Sequence, residues 1–328
     1  MKAFTNVNPR DLKQALAAIE SASAAHQKVA IAGGGSDLLQ LMRERIVTPD
    51  VLVNLKSISG MQGITVTRQG VTIGGLTTLA TIAGDERLRR SHAMLVEAAE
   101  SIATPQIRNV GTIAGNVCQR PWCWYYRNGF NCLKNGGTVC FSAGGENEFH
   151  AIFGGGPSYI VHPSDTAPAL VALDARFTIA SSKGARTVAA REFFTLPSVN
   201  PASENVLADG EVLSDIHVPA APAGTRSKYV KVMDRETWTH AVVSAAVSLQ
   251  MDGRTCRSAK IVLGGVAPTP WPLPGVEAML VGKTIDAAVA ADAGRQAVAG
   301  ARALSKNGYK IPMTEALVTR TILETAAL

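Results

Sequence analysis

Four cysteines fall between positions 118 and 140, in the stretch Cys118-QRPW-Cys123-WYYRNGFN-Cys132-LKNGGTV-Cys140, a C-x4-C-x8-C-x7-C spacing. The only other one, Cys256, lies far along the chain. Four thiols in one loop can ligate an iron–sulfur cluster or a zinc ion, or pair as two disulfides. Disulfides rank last. They typify small secreted domains without a core, whereas this chain has 328 residues, is 46% hydrophobic and starts MKAFTNVNPRDLKQ, with no leader pattern. Zinc usually draws its ligands from C-x2–4-C knuckles, and only the first gap here comes near that. A [4Fe–4S] cluster tolerates wider spacing, so it ranks ahead of zinc, which stays open. Arg120, Arg127 and Lys134 are expected to offset the charge of a thiolate-ligated cluster. Trp122, Trp124, Tyr125, Tyr126 and Phe130 are expected to shield it from water or simply to pack the loop.

Two glycine-rich segments could bind a phosphate. Gly33-Gly34-Gly35-Ser36 follows the apolar run KVAIA (28–32) and precedes SDLLQLMRERI, so it reads as a strand–turn–helix whose helix N-terminus favours an anion. It lacks the G-x-G-x-x-G dinucleotide fingerprint. Gly282-Lys283-Thr284 fails the Walker A spacing. The second segment, TPQIRNVGTIAGN (104–116), runs straight into the cysteine loop. Gly111 and Gly115 suit a winding backbone along a ligand, and Thr112 and Asn116 could supply hydrogen bonds. Together the two segments suit a flavin–phosphate site beside a cluster.

The supporting elements follow from pattern. Asn8-Pro9 opens a helix over DLKQALAAIESA, VLVNL (51–55) is a second strand, and ITVTRQGVTIGG (64–75) is a hairpin. Helices follow at about 77–88 and 91–103. Regular periodicity stops near Asn116 and resumes near Tyr159, which marks the cysteine loop as an insertion. PSDTAPALVAL starts a helix, and RFTIAS, RTVAA and EVLSDIHVP are strands. KYVKVMD, HAVVSAAVSLQM and SAKIVLGGVAP then read as strands turning at Asp252-Gly253, before helices at about 275–282, 285–304 and 314–327. This last part reads as a separate α+β domain. The net charge is +6 with 18% charged residues. The basic residues are scattered and no nucleic-acid motif is present, so nucleic acid is not an expected partner. No apolar run is long enough for a membrane span.

In order and spacing, AGGGSDLLQLM (32–42), TPQIRNVGTIAGN (104–116), CQRPWCWYYR (118–127), HPSDTAPAL (162–170), KYVKVMDR (228–235) and IVLGGVAPTPW (261–271) are specific. Over nearly the whole chain the sequence resembles the FAD-binding medium subunit of the xanthine dehydrogenase and molybdenum hydroxylase family. More closely, it is similar to the branch with an extra [4Fe–4S] loop, as in periplasmic aldehyde oxidoreductase and 4-hydroxybenzoyl-CoA reductase. That resemblance implies an α+β fold: a PCMH-type FAD-binding domain over 1–222, with α/β subdomains at about 1–57 and 58–222 and the cluster insert at about 117–156. A C-terminal α+β domain like that of CO dehydrogenase flavoprotein follows over 223–328.

By the same resemblance Ile31, Ala32, Gly33, Gly34, Gly35, Ser36, Asp37 and Leu38 wrap the FAD pyrophosphate. Thr112, Gly115, Asn116 and Asp165 contact the cofactor, Lys231 lies on the isoalloxazine side, and Cys118, Cys123, Cys132 and Cys140 ligate the cluster. Ser36 stands where the family often has Thr. The implied function is electron transfer from [2Fe–2S] clusters in a small subunit, through FAD, to an external acceptor. A molybdenum-cofactor large subunit would oxidise an aldehyde or N-heterocycle. The competing readings are a stand-alone flavin oxidase with a structural zinc loop and a zinc-stabilised scaffold. The expected compartment is the cytoplasm, or the periplasm by co-export with a signal-bearing partner.

Overall fold

The first helix begins where Asp11 accepts a hydrogen bond from the Gln14 N–H at 2.7 Å, an N-cap before the apolar stripe Ala15, Leu16, Ile19 and Ala22. This helix, Leu12–Ala24, lays its stripe on Val51 and Val53 of a small parallel sheet. In the computed structural model, which describes residues 1–328, that sheet comprises β1 (Thr5–Val7), β2 (Val29–Ala32) and β3 (Val51–Asn54) in the order β1-β3-β2. Sequence patterning missed β1, which is three residues long and mostly exposed and gains its place only by pairing with β3.

The hairpin appears as β4 (Ile64–Thr67) and β5 (Gly70–Gly74). With β6 (Arg176–Ser181), β7 (Gly184–Ala189) and β8 (Val212–Pro219) it forms an antiparallel sheet ordered β4-β5-β8-β6-β7. Alternating residues Val71, Ile73, Phe177, Ile179, Ile216 and Val218 supply its core face. The third sheet holds β9 (Thr225–Val232), β10 (Val243–Asp252), β11 (Thr255–Gly264) and β12 (Trp271–Pro272), ordered β12-β11-β10-β9. Its core is closed by helices Pro274–Leu280, Ala287–Ala297 and Lys310–Ala327. No helix is long and apolar enough to cross a membrane.

The helix Thr166–Ala172 has every residue buried. A helix apolar all round must be covered all round, and this one packs against β10 and β11 as well as the helices beside the second sheet. It therefore brings the residues at its start against the third sheet.

One expected segment differs. The stretch 104–116, read as winding backbone, contains two short helices, Pro105–Val110 and Ile113–Val117. Thr104 and Thr112 cap them by accepting from the Ile107 and Gly115 N–H groups at 3.3 and 3.2 Å.

Candidate functional site

A cleft of about 480 Å³ opens where the first glycine turn, the stretch 102–116, the cysteine loop and the connection after β9 meet. Its walls come from the first glycine turn (Ser36, Asp37), the second segment (Asn116), the cysteine loop (Trp122, Trp124, Arg127), Asp165, and the 234–242 connection after β9.

The first wall is built to receive an anion. None of the backbone N–H groups from Gly33 to Leu38 has an acceptor within the protein. The turn ends in the helix Leu38–Arg43, whose first N–H, that of Leu38, has no acceptor, while the Leu39 N–H closes back onto the Gly35 carbonyl at 3.0 Å. Gly35 sits at φ +76°, a left-handed conformation that costs glycine nothing. A run of unsatisfied donors at a helix N-terminus fits a diphosphate. Ile31 and Ala32 end β2 beneath the turn, so they support it from the sheet.

The second wall has a different character. Gly34 is pressed against it: a Cβ on Gly34 would lie 1.8 Å from the Val110 carbonyl oxygen, and one on Gly33 would lie 2.7 Å from Thr112 Oγ1. These glycines let the two segments touch. Thr112 and Gly115 stand behind the cleft, engaged with each other in a helix cap. Asn116 faces it. Its Oδ1 accepts from Ser164 Oγ and Thr166 Oγ1, both at 2.6 Å, which leaves its Nδ2 without a protein partner.

Asp165 lines the cleft, but both its carboxylate oxygens are taken. Tyr229 OH donates to Oδ1 at 2.8 Å and Lys231 Nζ to Oδ2 at 2.7 Å. The ion pair is buried, the two side chains being 2% and 6% exposed. Burial raises the Asp165 carboxyl above its usual range, against Lys231 and Tyr229, which lower it. Lys231 also donates to the Ser101 and Thr239 carbonyls, so it ties β9 to the end of the helix Ala93–Glu100 and to the rim of the cleft.

The cysteine loop forms the third wall. All five cysteines are free. Cys123 and Cys132 are buried together with Leu41, Tyr126 and Ile160. Burial pushes the Cys123 thiol up to about 11, and Cys132 and Cys140 lie close enough to raise it further. Cys118 instead packs against the core of the second sheet, where burial pushes it up to about 12. His150 Nε2 lies 3.3 Å from Cys123 Sγ. In donor type the set fits a sulfur-ligated cluster. As placed, however, no three His, Cys, Asp or Glu side chains converge on one metal position.

Each basic residue of the loop has a carboxylate partner. Lys134 pairs with Glu204 at 2.7 Å, Arg120 with the same carboxylate at 3.1 Å, and Arg127 with Asp37 at 2.7 Å. Their charge is spent on carboxylates because burial demands local pairing. Trp122 lies tilted against His240 with ring centroids 4.7 Å apart, and Phe130 and Phe141 are substantially exposed.

Residues 2–221 match the family described as the FAD binding domain in molybdopterin dehydrogenase, and residues 228–325 match the CO dehydrogenase flavoprotein C-terminal domain. The chain belongs to the FAD-binding subunits of the molybdenum hydroxylase family. It is an oxidoreductase subunit, and the expected mixed helix-and-sheet fold is the one observed. The aldehyde oxidoreductase FAD-binding subunit PaoB of Escherichia coli (strain K12) is 36% identical over 252 residues, covering 75% of this chain and 77% of that one. The carbon monoxide dehydrogenase medium chain of Afipia carboxidovorans is 30% identical over 254 residues, covering 77% and 72%. Among solved structures, Cu,Mo-CO dehydrogenase matches with a TM-score of 0.78 and 26% identity over 100% of this chain and 99% of that one.

Motif reading did not find the 234–242 rim or the pairing of Arg127 with Asp37. Nothing local marks them, because their partners come from other elements.

Proposed function

We propose that this chain is the FAD- and [4Fe–4S]-carrying electron-transfer subunit of a molybdenum-dependent hydroxylase or dehydrogenase acting on an aldehyde or N-heterocycle. Its FAD-binding part would span 1–222 and its C-terminal part 223–328. The complex would join a molybdenum-cofactor large subunit and a [2Fe–2S] small subunit and pass electrons to an external acceptor. The observation that carries the reading is the row of unsatisfied N–H groups over Gly33–Leu38 at one end of the cleft.

In this reading, Ile31 to Leu38 hold the pyrophosphate. Asn116 offers its free amide nitrogen, and Thr112 and Gly115 keep the helix that presents it. Asp165 and Lys231 set the electrostatics of the ring end as a neutralised pair, and Trp122, Trp124 and Trp238 offer apolar faces that exclude water. Bound FAD can accept an electron pair and release electrons singly, so it couples two-electron to one-electron partners. Cys118, Cys123, Cys132 and Cys140 supply four thiolates for a [4Fe–4S] cluster. Holding it requires their side chains to turn toward one another and lose their protons.

Metal and flavin analysis of anaerobically purified protein tests the cofactors. Cys123→Ser or Cys132→Ser is expected to lose the iron. Cys256→Ser is expected to keep it, since that thiol is fully buried in the third-sheet core and bonded to the Ser258 carbonyl. Stoichiometric zinc without iron would defeat the cluster. A separate experiment tests the subunit role. Flavin in the isolated chain should be reduced by dithionite but not by aldehydes or N-heterocycles, and adding the partner subunits should restore substrate-driven reduction. Rapid reduction by an aldehyde in the isolated chain would point to a stand-alone oxidase.

A further inference from the structure

Asp37 ends the turn whose N–H groups are free for an anion, and its own negative charge opposes a diphosphate there. The cysteine loop cancels that charge. Arg127 Nη1 donates to Asp37 Oδ1 at 2.7 Å, and the Arg120 backbone N–H donates to Oδ2 at 3.3 Å. The rest of the Arg127 guanidinium folds the loop upon itself. Its Nε donates to the Pro121 carbonyl at 3.0 Å and its Nη2 to the Arg120 carbonyl at 2.9 Å. The Arg127 side chain is only 9% exposed, and Cys123 lies inside the turn it closes.

We propose that Arg127 is a positioning residue that couples the cysteine loop to the diphosphate end of the FAD site. It neutralises Asp37 and locks the 120–127 turn against residues 33–38. FAD binding and ordering of the loop therefore strengthen each other, because coupling between two sites is reciprocal. The inference rests on the reading of the cleft as the FAD site. It adds that the loop tunes flavin affinity whatever its cysteines hold. A planar fork is needed here: lysine can supply the charge, but its donors radiate from one nitrogen, whereas these three bonds leave from Nε, Nη1 and Nη2 spread across a flat guanidinium.

The test is FAD titration of the full chain in its purified complex after removal of bound flavin, read by flavin fluorescence. Hydrogen exchange over residues 118–132, with and without FAD, is measured in parallel. Arg127→Gln should weaken FAD binding by roughly 10-fold or more and abolish the protection FAD gives to 118–132. Arg127→Lys should recover part of the affinity. The double variant Asp37→Asn with Arg127→Gln should recover the part lost to the unpaired carboxylate, while the FAD-linked protection of 118–132 stays lost because the turn remains unlocked. Unchanged affinity in Arg127→Gln, or a double variant as weak as Arg127→Gln alone, would overturn the coupling. Asn116→Leu separates the two ideas. If it weakens FAD binding while Arg127→Gln does not, the coupling fails and the site stands. If neither variant alters FAD binding, the site reading fails as well.

Discussion

Replacing Gly34 with valine will cost the protein its FAD. An added Cβ would lie 1.8 Å from the Val110 carbonyl oxygen and 2.6 Å from its carbonyl carbon. Both are backbone atoms that cannot swing aside like the end of a flexible side chain. The two glycine segments must part, and the turn that presents the N–H groups moves with them. Overpacking of this kind costs about 3 kcal/mol, which corresponds to roughly 100-fold in affinity if it falls on the bound state. Gly60→Ala is the matched control, because a Cβ there meets nothing within 4 Å. Flavin content and the FAD dissociation constant are the readouts. A Gly34→Val protein that binds FAD as tightly as wild type would show that the turn is not the phosphate site. The sequence suggested close approach of a ligand at this glycine. The structure assigns the constraint to Val110, so the effect on FAD is transmitted through backbone packing.

Lys231→Met will strongly destabilise the protein. It leaves the Asp165 carboxylate, 6% exposed, without its cation. Removing one partner of a buried pair typically costs about 3–5 kcal/mol. The loss will depend on pH. Burial raises the folded-state pKa of Asp165 above its ordinary value, and Lys231 is the largest influence lowering it. Without Lys231 it rises further. A carboxyl raised on folding stabilises the protein below its ordinary pKa, and that contribution is lost as pH rises through the folded-state value. The deficit of Lys231→Met relative to wild type should therefore be larger near pH 8 than near pH 5. Urea denaturation at both values measures it. Adding Asp165→Asn should return much of the stability, because no unpaired charge then remains and Tyr229 can still donate to the amide oxygen. If the double variant is as unstable as Lys231→Met alone, the ion pair is not the cause.

The sequence by itself determined what kind of protein this is and which glycine and cysteine segments come together at the cleft. The relevant signals are short and continuous. A strand, a glycine turn and a helix stand side by side over 28–43, and the four cysteines share one loop. Hairpin turns, caps and apolar alternation are local as well, so most helices and strands were legible. The helices over 105–117 were not. Their caps, Thr104 and Thr112, were there to read, but helices of five or six residues are too short to stand alone. They exist because the neighbouring elements bury and brace them. The same holds for the charges. Asp37 meets Arg127 across 90 positions and Asp165 meets Lys231 across 66. Neither pairing leaves a trace in spacing or periodicity, since it arises from the glycine turn, the cysteine loop and the third sheet converging on one cleft. Sequence placed Arg120, Arg127 and Lys134 beside the sulfurs, and only the tertiary structure decided that each would be claimed by a carboxylate. A buried cation takes the nearest available anion, and which anion is nearest is a property of the fold.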